Sequence, residues 1–246
     1  MNWISGIINA IRNFFNRLFQ RNKNSPGSST DPVKPEKTDT GKKKAIQITE
    51  KFLTRNEFSR PGRTLREVKG IILHWVGKPM QPAIETWNWF ENNCPREQHY
   101  SSAHYIIDLN GDIIHAIPDN EVAYHCGSSQ ADPVSGKIYT NWAREQFGEY
   151  ASNPAGNSPN NCTIGIEMCI VDDSGNFTRE TFDAAAELTA KLINENKLLI
   201  SGIGTHKTTV GWKDCPLLWS KNPGLLTEFR DYVKSLLSAG GTNPLP

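Results

Sequence analysis

Apolar and polar positions divide this chain into a helical arm, a polar stretch and a body in which helix and strand periods alternate. In "MNWISGIINAIRNFFNRLFQRNKN" the apolar residues stand at 3, 4, 7, 8, 11, 14, 15 and 18, with Arg12, Arg17 and Arg21 among them. That spacing predicts an amphipathic helix over 1–22 with a basic face. Residues 23–44, "KNSPGSSTDPVKPEKTDTGKKK", offer almost nothing to bury and read as a flexible linker.

From residue 45 the run "GIILHWVG" reads as a buried strand ending at His74, and "QPAIETWNWFENN" as a helix. "AHYIIDLNGDIIHAIP" reads as two short strands joined at Asn110-Gly111, a hairpin signal. Residues 127–161 look loop-rich. They are followed by a strand in "CTIGIEMCIV", a turn at "DDSGN" and a helix in "TRETFDAAAELTAKLINENK". "LLISGIGTH" is again strand-like and finishes on His206, "PGLLTEFRDYVKSLL" is a last helix, and residues 238–246 read as a flexible tail. The alternation predicts a central mixed sheet flanked by helices, class α/β or α+β, over residues 45–237. No internal repeat is visible.

Composition adds a core and an asymmetry. With 246 residues, 37% hydrophobic and seven Trp, the body has enough to bury. The net charge of +1 conceals nine Lys/Arg against three acids in residues 1–44, and 18 against 23 in the remainder. A basic amphipathic arm suits in-plane binding to an anionic membrane surface; docking on the body or self-association, and an atypical targeting sequence, are the other readings. Nucleic acid is not an expected partner. The charge comes too late for a secretory signal, and no apolar run approaches the roughly 20 residues of a membrane span. Five cysteines without a CxxC pair suggest neither a disulfide framework nor a zinc ribbon.

The candidate chemistry lies where strands end. A buried strand gains nothing from an imidazole without a partner or a task, and both His74 and His206 close strand-like runs. Strand ends on one sheet edge converge, and Cys215 follows His206 in "HKTTVGWKDCP". Two imidazoles and a thiolate would make a three-ligand zinc site with a position open for water; hydrogen-bonded strand caps beside a small buried cysteine are the alternative. Glu167, inside the apolar "TIGIEMCIV", needs a partner or a use, and next to a metal-bound water it would serve as general base. Lys213 would bring positive charge to a developing oxyanion. His104 reads as a packing or hydrogen-bonding residue. Trp75, next to His74, is a candidate contact for sugar or peptide, while Trp87 and Trp89 read by default as core.

The blocks "GIILHWVG", "SSAHYIIDLNGDIIHAIPDNEVAYHCG", "NNCTIGIEMC" and "GTHKTTVGWKDCP", in this order, resemble the zinc-dependent N-acetylmuramoyl-L-alanine amidases of the phage-endolysin and peptidoglycan-recognition-protein superfamily. The likeness spans about residues 65–235. It implies a groove for the glycan-linked peptide, Zn2+ held by His74, His206 and Cys215, Glu167 as base and Lys213 beside the tetrahedral intermediate. It also implies His125 as a groove residue. The substrate implied is peptidoglycan, cut between N-acetylmuramic acid and L-alanine, at the bacterial cell wall or periplasm. Release by a holin and membrane association through residues 1–22 both stay open, as does a non-catalytic peptidoglycan-binding module. Ala103 stands where some members carry a catalytic tyrosine before the histidine of the "HY" block, which sets this chain with the glutamate branch. The stretch "SGKIYTNWAREQFGEYASNPAGNSPN" is longer than in compact members.

Overall fold

The structure, a computed structural model, describes residues 46–152 and 157–239. The predicted arm, its linker and residues 240–246 lie outside the described residues, and with them the membrane-surface expectation.

Six strands form one sheet in the order β1-β4-β3-β5-β2-β6. They are β1 (Ile48–Glu50), β2 (Gly70–Trp75), β3 (Tyr105–Ile107), β4 (Ile113–His115), β5 (Thr163–Met168) and β6 (Ile203–Thr205). Only β3 and β4 pair antiparallel; the other pairings are parallel, so the sheet is mixed as predicted. The central β2 and β5 read as almost unbroken apolar runs because both faces of a parallel sheet are covered. The eight helices among the described residues are α1 (Ala83–Asn88), α2 (Cys94–Glu97), α3 (Asn141–Phe147), α4 (Glu149–Ser152), α5 (Arg179–Asn196), α6 (His206–Val210), α7 (Leu217–Lys221) and α8 (Gly224–Ala239). None is long and apolar enough to cross a membrane.

Side chains alternate across a strand, so register assigns the faces. His74 stands beside Glu167 and Ile72 beside Gly165 and Gly204, which puts these residues on one face. Ile106 of that face clusters with Ala83 and Phe90 around α1, and Ile72 clusters with Tyr139, Ala143 and Phe147 around α3. α5 lies against β3 and β5 and packs on α8. Its first turn is capped by Thr178, whose side chain accepts from the Thr181 N–H.

Several local expectations are revised. Residues 127–161 hold α3, α4 and a 3-10 turn at Pro159–Asn161 rather than loop alone. Tyr139, Ala143, Phe147 and Ala151 recur at every fourth position and are all buried, a helical period masked by the Gly, Pro and Asn around it. α3 comes down on bare backbone: a Cβ on Gly204 would stand 2.1 Å from the Trp142 ring. The helix predicted over 81–93 is α1 followed by a π turn at Trp89–Asn93, and it runs on as α2 through Pro95. Asn110-Gly111 sits in a five-residue connection, Asp108 to Asp112, closed by the Asp108 N–H on the Asp112 carbonyl at 2.8 Å. The strand before His206 shrinks to Ile203–Thr205, and β1 was not expected at all. α8 runs to Ala239, two residues into the predicted tail.

The segment before β2 is pinned by a half-sealed ion cluster. Arg60 donates to both Glu121 oxygens at 2.8 and 2.9 Å and to the Leu53 carbonyl at 2.7 Å, and Arg55 adds a third contact to Glu121.

Candidate metal centre and cleft

His74 is the next-to-last residue of β2, which runs on to Trp75, while His206 opens α6 rather than ending a strand. Thr205 caps that helix reciprocally with Thr208, which turns the chain sharply at the sheet edge. The Lys207 N–H then donates to the Cys215 carbonyl at 3.0 Å, folding the 207–215 loop back on His206. The result brings together the three residues predicted as ligands. His74 Nδ1 lies 3.2 Å from His206 Nδ1 and 3.6 Å from Cys215 Sγ. All three ligand atoms lie within 4.8 Å of one another, a group able to hold a metal ion. The side chains are 1%, 6% and 3% exposed for His74, His206 and Cys215.

Burial dominates the electrostatics. It holds His74 well below the usual histidine range, helped by His206, His125 and Lys213, and takes His206 down to about 3, again with Lys213. Both rings are therefore neutral at pH 7, the form that offers a lone pair. Burial and the nearby Glu167 push the Cys215 thiol up, while the Trp75 backbone and Lys213 pull the other way. A cation in the centre would favour the thiolate that no protein group here stabilises fully.

Glu167 neighbours His74 in the parallel ladder. Burial lifts its carboxyl from 4.5 to about 8 against the pull of Lys213. Its Oε2 is sealed and without a hydrogen-bond partner, although the residue keeps a partly exposed flank. Lys213 is exposed, and its charge acts on Glu167 and all three candidate ligands.

A cleft of about 220 Å3 leads from Glu167 past Trp75, Val76 and Thr86 to Trp89 and Phe90. It adjoins, at Lys78, Gln81 and Trp89, a second cleft of about 330 Å3 over Glu85, Asn88 and Asn93. Trp75 lines the first cleft but also packs toward the 172–176 turn, where a Cβ on Gly175 would stand 3.0 Å from its ring. Trp89, read from sequence as core, is 40% exposed and lines both clefts, whereas Trp87 donates its Nε1–H to the Lys51 carbonyl. The signal was in the helix period: Ala83, Thr86 and Phe90 mark the buried face, and Trp89 falls off it.

His125 takes a place different from the one expected. It is buried behind His74, its Nδ1 3.1 Å from His74 Nε2, and both of its ring nitrogens have protein partners, so it is not a wall of an open groove. Burial and the neighbouring His104 hold it well below the usual range. His104 is a hydrogen-bonding residue as read: the Gly165 N–H donates to its Nδ1, and its Nε2 meets the Glu121 carbonyl.

Residues 64–217 match the family described as N-acetylmuramoyl-L-alanine amidase, and the chain belongs to that family. A probable N-acetylmuramoyl-L-alanine amidase of Bacillus licheniformis is 35% identical over 192 residues, covering 78% of this chain and 48% of that protein. The N-acetylmuramoyl-L-alanine amidase CwlL of the same organism is 32% identical over 193 residues, again 78% and 48%. The chain thus spans about half the length of these relatives. Among solved structures, PlyL is similar with a TM-score of 0.56 at 21% identity, covering 76% of this chain and 97% of that one. The Staphylococcus aureus hydrolase AmiA, in complex with its ligand, gives 0.54 at 15% identity, covering 88% and 100%. These likenesses establish a common fold.

Proposed function

We propose that residues 45–237 form a zinc-dependent amidase domain that hydrolyses the bond between N-acetylmuramic acid and L-alanine of the peptidoglycan stem, acting at the cell wall. The observation that carries this reading is the convergence of His74 Nδ1, His206 Nδ1 and Cys215 Sγ beside the buried, unpartnered Oε2 of Glu167. Ligand atoms on a tetrahedral zinc at about 2.05 Å (N) and about 2.3 Å (S) stand about 3.3 Å (N to N) and about 3.6 Å (N to S) apart. The two separations from His74, 3.2 and 3.6 Å, match these values, and His206 and Cys215 lie within 4.8 Å of each other, so the donor set fits the ion.

When bound, zinc supplies Lewis-acid polarisation of the scissile carbonyl and acidifies a water to a pKa of about 7. Glu167 would accept a proton from the attacking water and return it to the leaving amine: burial lifts its carboxyl to about 8 in the metal-free chain, and a cation in the centre would lower it toward the ionised form a base needs. Lys213 opposes the charge that develops on the carbonyl oxygen. The cleft past Trp75 to Trp89 and Lys78 is the proposed seat of the muramoyl peptide. The test is release of new L-alanine amino termini from purified peptidoglycan by native, chelated and zinc-restored protein and by Glu167→Gln. Zinc-dependent release that Glu167→Gln abolishes is expected. Retention on peptidoglycan without release would return the chain to the binding-module reading.

A further inference from the structure

We propose that His125 is a positioning residue: it fixes the tautomer of His74 so that Nδ1 keeps a free lone pair for a metal ion. The inference rests on reading His74 as a ligand, and it follows from a hydrogen-bond chain with only one consistent direction. The chain ends at the Pro159 carbonyl, which can only accept, and Thr163 Oγ1 lies 2.7 Å from it and donates its proton there. His125 Nε2 stands 3.1 Å from that Oγ1 and 3.3 Å from the Thr163 carbonyl. Both now present lone pairs to it, so Nε2 carries the hydrogen. A neutral ring protonated at Nε2 is an acceptor at Nδ1. His125 Nδ1 faces His74 Nε2 at 3.1 Å, and His74 must donate there. The proton of His74 is thereby held on Nε2, and its Nδ1 points bare at His206 Nδ1 and Cys215 Sγ.

The ring that does this is seated by the sheet. A Cβ on Gly165 would lie 2.5 Å from His125 Cγ, 2.7 Å from Nδ1 and 2.9 Å from Cδ2, so the imidazole rests on backbone that carries no side chain. His104 braces the same residue from the neighbouring strand region, its N–H donating to the Gly165 carbonyl at 3.0 Å and its Nδ1 accepting from the Gly165 N–H at 3.0 Å. The glycine in "TIGIEM" thus makes room for His125, and the glutamate two residues on faces the same side of the sheet.

Two variants separate the acceptor from the bulk. Asn at 125 places an oxygen where Nδ1 stood and keeps an acceptor for His74; Leu at 125 keeps volume and offers none. Zinc affinity of the full chain is measured by competition with a chromophoric chelator, alongside long-range 1H–15N spectra of the metal-free protein. The expected result is the Nε2–H form of His74 in the native chain, zinc binding weakened about 10- to 100-fold by His125→Leu, and affinity restored to within a few-fold by His125→Asn. Zinc bound equally by the native and Leu chains, or a His74 protonated at Nδ1, overturns the proposal. The spectrum of the native chain decides it even where His125→Leu fails to fold. A native chain that binds no zinc instead defeats the ligand reading on which the proposal stands.

Discussion

Replacing Glu167 by Gln should make the metal-free protein more stable at alkaline pH while removing its activity. The carboxyl titrates at about 8 in the fold against an ordinary 4.5, because burial disfavours its charge. Between those values the folded chain holds a proton that the unfolded chain has released. Stability therefore falls as pH rises through the window, by about 1.4 kcal/mol per pH unit for this group. The whole window sets a ceiling of about 5 kcal/mol, and the partly exposed flank, which admits solvent screening, brings the expected figure to about 2 kcal/mol. Glutamine carries no charge at either end. Urea unfolding of metal-free wild type and Glu167→Gln should thus coincide near pH 5 and separate by pH 8.5, with the variant more stable. Turnover of zinc-loaded protein should fall about 10²- to 10⁴-fold, the usual worth of a general base. A variant less stable than wild type at pH 8.5 would mean that the carboxylate is partnered and structural. Turnover retained within a few-fold would place the base elsewhere.

Four histidines, His74, His104, His125 and His206, are held below the usual range by burial and must gain protons when the metal-free chain unfolds in acid. Stability should therefore drop as pH falls below 6.5, by about 1.4 kcal/mol per unit for each ring, and a urea midpoint unchanged between pH 6.5 and 5 would contradict their buried, neutral state. Gly204→Ala should cost about 1–3 kcal/mol, because the added carbon lies 2.1 Å from Trp142 and α3 must lift; an unaltered melting temperature would show that the segment yields freely. Glu121→Ala leaves Arg60 facing a half-sealed pocket and should cost about 3 kcal/mol in chemical unfolding. Trp89→Ala should raise KM for peptidoglycan with little change in melting temperature, since the ring is 40% exposed; a large stability loss would return it to the core.

The sequence by itself determined the frame of this protein. Hydrophobic period is a local property, so β2, β5, α5 and α8 were legible, and so was a mixed sheet flanked by helices. Two of the site candidates, the ligand His74 and the base Glu167, were legible for a related reason: they interrupt apolar strands, where a polar side chain needs an explanation. Strand propensity in "LLISGIGTH" ran too far because Thr205 and Thr208 cap a helix at the next residue, and α3 was hidden by the turn formers flanking it.

Tertiary structure decided what each group faces. That Trp89 and not Trp87 opens on the cleft depends on which side of α1 the sheet covers. That His125 supports His74 depends on Thr163 and Pro159, brought under the ring by β5 and the turn before it. A ring nitrogen's role is set by the donor or acceptor opposite it. Here those partners are dozens of residues distant along the chain and about 3 Å distant in space, a proximity that no local period encodes.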